Sequence, residues 1–203
     1  MQTHLGTSSL INGNNINFHT LAGAKWLYLE GYLAMSPTIA QGISTLHAKA
    51  KEEGVKVAVS FADPAVVKFA KEGLDAMLSG GVDAIFCNLE EAMLYTGTDS
   101  HESAVRALGE FATLVVVTNS DKPALIKQGD EIISVPSAVI DNALDTNGAG
   151  DNYAGAFLYA HTQGHTLSEC GALAAAVAGR IVTQFGPRLS ASDYLAIKAD
   201  ILG

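Results

Sequence analysis

The stretch Val55-Lys56-Val57-Ala58-Val59-Ser60-Phe61 is a largely apolar run, and Ala62-Asp63-Pro64 follows it directly. A short run of this kind is typical of a strand buried in a parallel sheet. Asp followed by Pro is a helix-start signal, because Asp caps free backbone amides and Pro suits the first helical position. The sequence therefore predicts a strand and then a helix that ends at Gly80-Gly81.

The alternation of strand and helix continues on both sides of this stretch. Upstream, a strand is predicted at 26–29 and a helix from Ser36-Pro37 to Gly54. Downstream, the segments 124–127 and 132–135 flank Gly129-Asp130, as in a β-hairpin at a sheet edge. The other predicted elements are strands at 84–87 and 114–118 and helices at 88–95, 102–111, from within 145–151 to 163, 167–184 and after Ser190. This order predicts an α/β fold with a mostly parallel sheet, in which ligands bind at the carboxyl ends of the strands.

The composition indicates one folded globular domain over residues 1–203, since 48% of the residues are hydrophobic and only 16% are charged. A net charge of −9 and the lack of any basic run exclude nucleic acid and anionic membrane surfaces as expected partners. No apolar stretch reaches the roughly 20 residues that span a bilayer. Cys87 and Cys170 lie far apart without CxxC spacing. We therefore expect a soluble, cytoplasmic protein with two reduced, buried thiols.

The segment Asp145-Thr146-Asn147-Gly148-Ala149-Gly150-Asp151 carries the chemistry, and an apolar helix follows it. Small residues let the backbone approach a ligand, and amides at a helix start have no intrahelical partner. The amides of Gly148, Ala149 and Gly150 are thus predicted to form an anion hole. Asp151 is placed to take a proton from an attacking hydroxyl. A second interpretation is a tight loop that lets the helix pack on the sheet, with Asp151 as a helix-start charge and Thr146 and Asn147 as ordinary caps.

This segment, DTNGAGD, resembles the DTxGAGD signature of the pfkB family, also called the ribokinase or carbohydrate kinase family. Asn88-Leu89-Glu90-Glu91 resembles the NxxE element that the family carries at the end of a core strand. The sequences of segments 27–33, 62–64 and 158–164 are similar to the corresponding segments of bacterial adenosine kinase-like and sugar kinase-like members. The resemblance implies a ribokinase-like, three-layer αβα fold around the mostly parallel sheet.

The resemblance also implies a reaction, which is ATP-dependent phosphoryl transfer to a hydroxymethyl group of a small-molecule sugar or nucleoside. Asp151 then matches the catalytic base, and the amides of 148–150 match the hole for the transferring group. Asn88 and Glu91 match residues that organise Mg²⁺ through its waters, and they also form a capping-box pattern at a helix start. Asp145 and Asn147 match a monovalent cation site, with potassium as its ligand and the turn 185–187 on its other side.

Four further positions match nucleotide-binding residues of the family, and these are Thr118, Ser120, Thr146 and Ala175. Two departures from the family pattern affect them. The TxGxxG loop of many members is replaced by Thr118–Pro123, where Pro123 offers no N–H and fixes φ. Ala175 stands where ribokinase-type members carry an Asn, which implies that adenine rests mainly on apolar side chains and backbone.

Family members place a substantial part ahead of the strand at 26–29, with the first core strands, a Gly-Gly acceptor motif and a β-sheet lid. None of these is visible in the sequence, so we expect an N-terminally truncated domain without its lid. The alternative function is a catalytically incomplete nucleotide-binding fragment, because phosphoryl transfer depends on positioning donor and acceptor. An open sheet edge predicts self-association or a partner chain that covers it. A dinucleotide-binding protein is disfavoured, because its glycine-rich loop would follow the first strand.

Overall fold

The computed structural model describes residues 6, 10–11, 17–36, 38–140 and 142–203. Its strands are β1 (Trp26–Leu29), β2 (Lys56–Ser60), β3 (Val82–Asn88), β4 (Ala112–Asn119), β5 (Lys122–Gln128) and β6 (Glu131–Val135). Its helices are α1 (Ile39–Glu52), α2 (Pro64–Phe69), α3 (Lys71–Leu78), α4 (Leu89–Thr96), α5 (His101–Leu108), α6 (Ala149–Thr162), α7 (Leu167–Ile181) and α8 (Ala191–Leu202). The strands form a sheet in the order β1-β2-β3-β4-β5-β6, which confirms the predicted α/β fold.

The chain divides into two compact units, residues 1–116 with 127–129 and residues 117–126 with 130–203. In the first unit, β1, β2 and β3 run parallel, with Trp26 opposite Lys56 and Ala58 opposite Ala84. Their helical connections follow the pattern expected of parallel strands, which need a crossover between them. The largest fully buried side chains of this unit are Ile43, Val59, Phe61, Val66, Leu74, Met77, Ile85 and Leu108.

The helix predicted between Asp63 and Gly80 is in fact two helices, α2 and α3. The chain leaves the helical conformation at Ala70, where φ is −129° and ψ is 31°. The break allows α3 to approach a short 3-10 helix, Gly31–Met35, that the sequence did not indicate. The approach is close enough that a Cβ on Gly73 would lie 2.1 Å from the carbonyl oxygen of Ala34.

Gly73→Ala is therefore expected to lower the free energy of unfolding by about 3 kcal/mol, because the added methyl group meets rigid backbone. Urea unfolding measures this loss. Gly155→Ala is the matched control, since Gly155 is also helical and its added Cβ would meet nothing within 4 Å. The control should stabilise the protein by up to about 1 kcal/mol. Similar effects of the two substitutions would contradict the close approach of α3.

In the second unit, α6 packs along α7, and α7 also contacts α8 and β6. Phe157 of α6 and Ile181 of α7 are fully buried, together with Ile126 of β5. Helix α8 begins after Ser190, as predicted, and the Ser190 side chain accepts a hydrogen bond from the amide of Asp193. The second unit therefore provides a helical layer around the start of α6.

The end of the sheet contains two tight connections. Gly129-Asp130 joins β5 to β6, which confirms the predicted hairpin. The connection from β4 to β5 differs from the expected loop over 118–123, because only Ser120 and Asp121 lie between the strands. Ser120 has a φ of 53°, a left-handed conformation used in tight hairpin turns, and Pro123 lies within β5.

Three other expectations concern single features. The proposed helix start at Pro37 lies outside the described residues, and α1 begins at Ile39. Cys87 and Cys170 are both buried and form no disulfide, as predicted. Within the described ranges, no helix is long and apolar enough to cross a membrane.

Candidate active site at the start of helix α6

The glycine-rich segment forms a tight turn that leads into α6. Gly148 is the N-cap residue and has a φ of 77°, which L side chains rarely adopt. Pro187 packs against it so closely that a Cβ on Gly148 would lie 2.6 Å from the Cβ of Pro187. A glycine is therefore required at position 148 for both its conformation and its contact.

The amides of this turn differ from the prediction at one position. The Ala149 amide donates to the carbonyl oxygen of Thr146 at 3.2 Å, because the chain closes a one-turn bend before the helix begins. Among the residues that the structure describes, the amides of Gly148, Gly150 and Asp151 donate no hydrogen bond. Three unbonded N–H groups therefore remain at the positive end of α6.

The carboxyl group of Asp151 stands in the first turn of α6, beside these amides. It has no hydrogen-bond partner within the described part of the chain. Partial burial raises its pKa above the ordinary value for Asp. A carboxylate with a raised pKa is a better proton acceptor near neutral pH than an ordinary Asp.

Asp151 also lines a cavity of about 730 Å³ between α6, α7, α8 and the segment 187–189. The lining is mainly apolar, and Arg188 and Lys198 provide positive charge. Residues on α8 were not assigned to the site from the sequence, because no motif marks them. The cavity includes Asp151, Asn152, Gly155, Ala156, Tyr159, Leu173, Val177, Pro187, Arg188, Leu189, Tyr194, Leu195 and Lys198.

Asp145 anchors the beginning of the turn. Its carboxylate oxygens accept hydrogen bonds from the amide of Asn147 at 3.0 Å and from the amide of Gly186 at 3.1 Å. These two bonds lower the pKa of Asp145. The Asp145 carboxylate thus bonds both to Asn147 and to the 185–187 turn, and the group that each presents to it is an amide donor.

In the first unit, Asn88 and Glu91 form the predicted capping box at the start of α4. The Asn88 side chain accepts from the Glu91 amide at 2.9 Å, and the Glu91 carboxylate accepts from the Asn88 amide at 3.0 Å. Glu91 is only 4% exposed. Burial raises its pKa to about 7, and the negative charges of Asp63 and Glu90 act in the same direction.

Asp63 is a residue that the sequence analysis did not assign to the site. It caps α2 by accepting from the Ala65 amide at 2.7 Å, and it follows Ala62, whose φ is 69°. A left-handed non-glycine residue is costly, and such residues cluster at functional sites. The available signal was Ala62-Asp63-Pro64 itself, since it follows the carboxyl end of β2.

The acidic character around Glu91 suits a cation that is held mainly by water and phosphate. Within the described ranges, no group of three or more His, Cys, Asp or Glu side chains has the arrangement of a metal site. Mg²⁺ commonly keeps several waters and binds through one or two carboxylates with substrate phosphates. The Glu91 carboxylate and the Asn88 amide oxygen are of the ligand type that Mg²⁺ prefers.

The other residues predicted to contact the nucleotide differ in their exposure and surroundings. Thr118 is half-buried at the end of β4, whereas Ser120 is exposed and its carbonyl oxygen accepts from the Ser137 hydroxyl at 3.2 Å. Thr146 is exposed and contributes its carbonyl oxygen to the turn. Ala175 is buried in α7, two residues from Leu173 and Val177, and so points away from the cavity that they line.

Solved structures similar to this chain include two bacterial proteins. The adenosine kinase from Sinorhizobium meliloti matches with a TM-score of 0.87 and 31% identity, over 95% of this chain and 59% of that protein. A probable sugar kinase from Rhizobium etli CFN 42 matches with a TM-score of 0.86 and 34% identity, over 95% and 58% respectively. These matches confirm the ribokinase-like αβα fold.

Sequence relatives point in the same direction. The cytidine kinase of Thermococcus kodakarensis is 33% identical over 108 residues, which are 52% of this chain and 38% of that enzyme. The chain therefore spans well under two thirds of the length of these relatives. The sequence profile of the pfkB family carbohydrate kinases matches residues 6–193. With its glycine turn, its capping box and its fold, this chain belongs to the pfkB family of carbohydrate kinases.

Proposed function

We propose that this chain supplies the phosphate-handling part of an ATP-dependent kinase that acts on a hydroxymethyl group of a sugar or nucleoside. The observation that carries the proposal is the start of α6, where three unbonded amides stand beside the unbonded carboxyl group of Asp151. Amides bind anions, whereas a carboxylate repels them. A carboxylate retained at an anion site is explained if it takes a proton from the attacking group.

The chemical step follows from this arrangement. The Asp151 carboxylate accepts the proton of the acceptor hydroxyl as the hydroxyl oxygen forms a bond to the γ-phosphorus. The bond from that phosphorus to the β–γ bridging oxygen breaks, and ADP leaves. The amides of Gly148, Gly150 and Asp151 stabilise the negative charge on the transferring group. Mg²⁺, when bound, neutralises phosphate charge, and Asn88 and Glu91 would orient its waters.

A turnover assay tests this proposal. Formation of ADP from Mg·ATP is measured with adenosine, cytidine, ribose and fructose as acceptors, because relatives include nucleoside and sugar kinases. Acceptor-dependent ADP formation is expected. ATP binding without turnover on any acceptor would instead support the second proposal, a nucleotide-binding chain that needs a partner.

We further propose that a partner chain, or a second copy of this chain, pairs with β1, one of the two outermost described strands. An unpaired strand edge offers backbone hydrogen-bonding groups to another chain. Light scattering of the purified protein measures this association. A monomer across the tested concentrations would exclude a second copy of the chain and leave a different chain as the partner.

The monovalent cation site is proposed at Asp145 and Asn147. Each carboxylate oxygen of Asp145 accepts a backbone amide, so hydrogen bonds within the chain already hold the turn together. We therefore expect K⁺ to increase turnover without being required for it. Replacing K⁺ by tetramethylammonium at constant ionic strength should lower kcat only partly. Complete loss of turnover would contradict this expectation, because it would show that the turn needs the cation to support catalysis.

A further inference from the structure

Asn152, directly after the proposed base, connects three parts of the second unit. Its Nδ2 group donates to the carbonyl oxygen of Gly148 at 2.8 Å and to that of Pro187 at 2.9 Å. Its Oδ1 atom accepts from the Tyr194 hydroxyl at 2.5 Å. The Tyr194 hydroxyl in turn lies 3.5 Å from the amide of Leu189, which donates to it.

This network identifies the side chain that position 152 requires. Two carbonyl oxygens need two N–H donors, and the tyrosine hydroxyl needs an acceptor. Asn supplies both within a short side chain, whereas Asp would place an oxygen against the two carbonyl oxygens. The two carbonyl oxygens also set the amide orientation, because a flipped amide would place Oδ1 against both of them and lose those two hydrogen bonds.

Asn152 bonds to Gly148 and Pro187, the two residues whose contact shapes the turn before α6. Gly148 carries one of the unbonded amides, and its carbonyl oxygen also accepts from the Asn152 backbone amide at 3.0 Å. Pro187 packs on Gly148 from the opposite side. Asn152 therefore bonds to both halves of the Gly148–Pro187 contact, and Tyr194 ties that contact to α8.

We propose that Asn152 is a positioning residue that fixes the free amides of Gly148, Gly150 and Asp151 for the γ-phosphoryl group. This inference rests on the proposed function, because it assigns those amides to phosphate binding. Asn152 contacts no reacting atom in this account. It acts by holding the Gly148 carbonyl and Pro187 in a single arrangement.

The first arm of the test needs no nucleotide. In Asn152→Ala, amide hydrogen exchange of Ala149, followed by NMR, should be about tenfold faster, because its bond to Thr146 lies in the turn that Asn152 holds. Amides in the middle of α7 should exchange at the wild-type rate. Unchanged exchange at Ala149 would overturn the inference, whatever the chain binds.

The second arm separates positioning from a general structural role. Calorimetry with Mg·ATP and Mg·ADP should show ATP affinity reduced about tenfold in Asn152→Ala and Asn152→Asp, with ADP affinity within about twofold of wild type. Tyr194→Phe keeps both carbonyl bonds and should show a smaller loss. Thr162→Ala is the control, since it removes a side-chain bond to the Tyr159 carbonyl at the far end of α6.

The outcomes distinguish the two proposals. If the Asn152 variants lost equal affinity for ATP and ADP, or lost none, the role of Asn152 would be overturned. ATP binding by the wild-type chain would in that case still uphold the proposed function. Absence of ATP binding by the wild-type chain would overturn the proposed function and, with it, the assignment of the amides to the γ-phosphoryl group. The hydrogen-exchange rate of the Ala149 amide would then still show whether Asn152 stabilises the turn before α6.

Discussion

Asp151→Asn is expected to reduce acceptor-dependent ADP formation by about a thousandfold, because the amide cannot take the proton of the attacking hydroxyl. The variant keeps the side-chain size and leaves the backbone amides of the turn in place. Affinity for Mg·ATP should therefore persist or increase, since a negative charge beside the phosphate is removed. Initial rates and calorimetry on the same preparation measure both quantities.

The variant should also fold. Burial disfavours the charged form of Asp151, so a neutral amide carries no added desolvation penalty. Asp193→Asn is a matched control, because Asp193 also lies in the first turn of a helix, α8, outside the proposed machinery. The control should retain wild-type kcat. A variant at Asp151 that kept more than about a tenth of wild-type kcat would contradict its role as the base.

Glu91→Gln is expected to remove a pH dependence of stability. Glu91 has a folded-state pKa of about 7, against an ordinary value of 4.5. Stability from this group is therefore fully present below pH 4.5 and is lost as the pH rises through 7. The difference corresponds to about 3 kcal/mol between pH 4 and pH 8.

Urea unfolding at several pH values measures this effect. The wild-type chain should lose this stability as the pH rises, and the difference between wild type and Glu91→Gln isolates it from other titrating groups. Glu90→Gln is the neighbouring control at an exposed position and should largely keep the slope. Mg·ATP affinity should rise through pH 7 in the wild type but not in Glu91→Gln. Identical pH profiles of wild type and Glu91→Gln would contradict a buried, titrating Glu91.

The parts of the fold and site that local sequence signals specify were predictable. The β–α alternation, the hairpin at Gly129-Asp130 and the capping box of Asn88 and Glu91 each depend on residues within a few positions of one another. The glycine turn before α6 was predictable for the same reason, since Gly148 adopts a conformation that favours glycine.

The features that were not predicted depend on distant residues or on backbone closure. The break between α2 and α3 accompanies the approach of Gly73 to Ala34, which lies in another part of the sequence. The bonds of Asn152 to Pro187 and Tyr194 span 35 and 42 positions. The engaged amide of Ala149 follows from how tightly the turn closes, which residue type alone does not determine.

We expect the start of α6 to bind the transferring phosphoryl group of ATP. The most direct measurement compares backbone amide NMR shifts on adding Mg²⁺ with a non-hydrolysable ATP analogue or with ADP. The amides of Gly148, Gly150 and Asp151 should shift with the ATP analogue and much less with ADP. Equal shifts with both nucleotides, or shifts elsewhere that leave these amides unchanged, would contradict it.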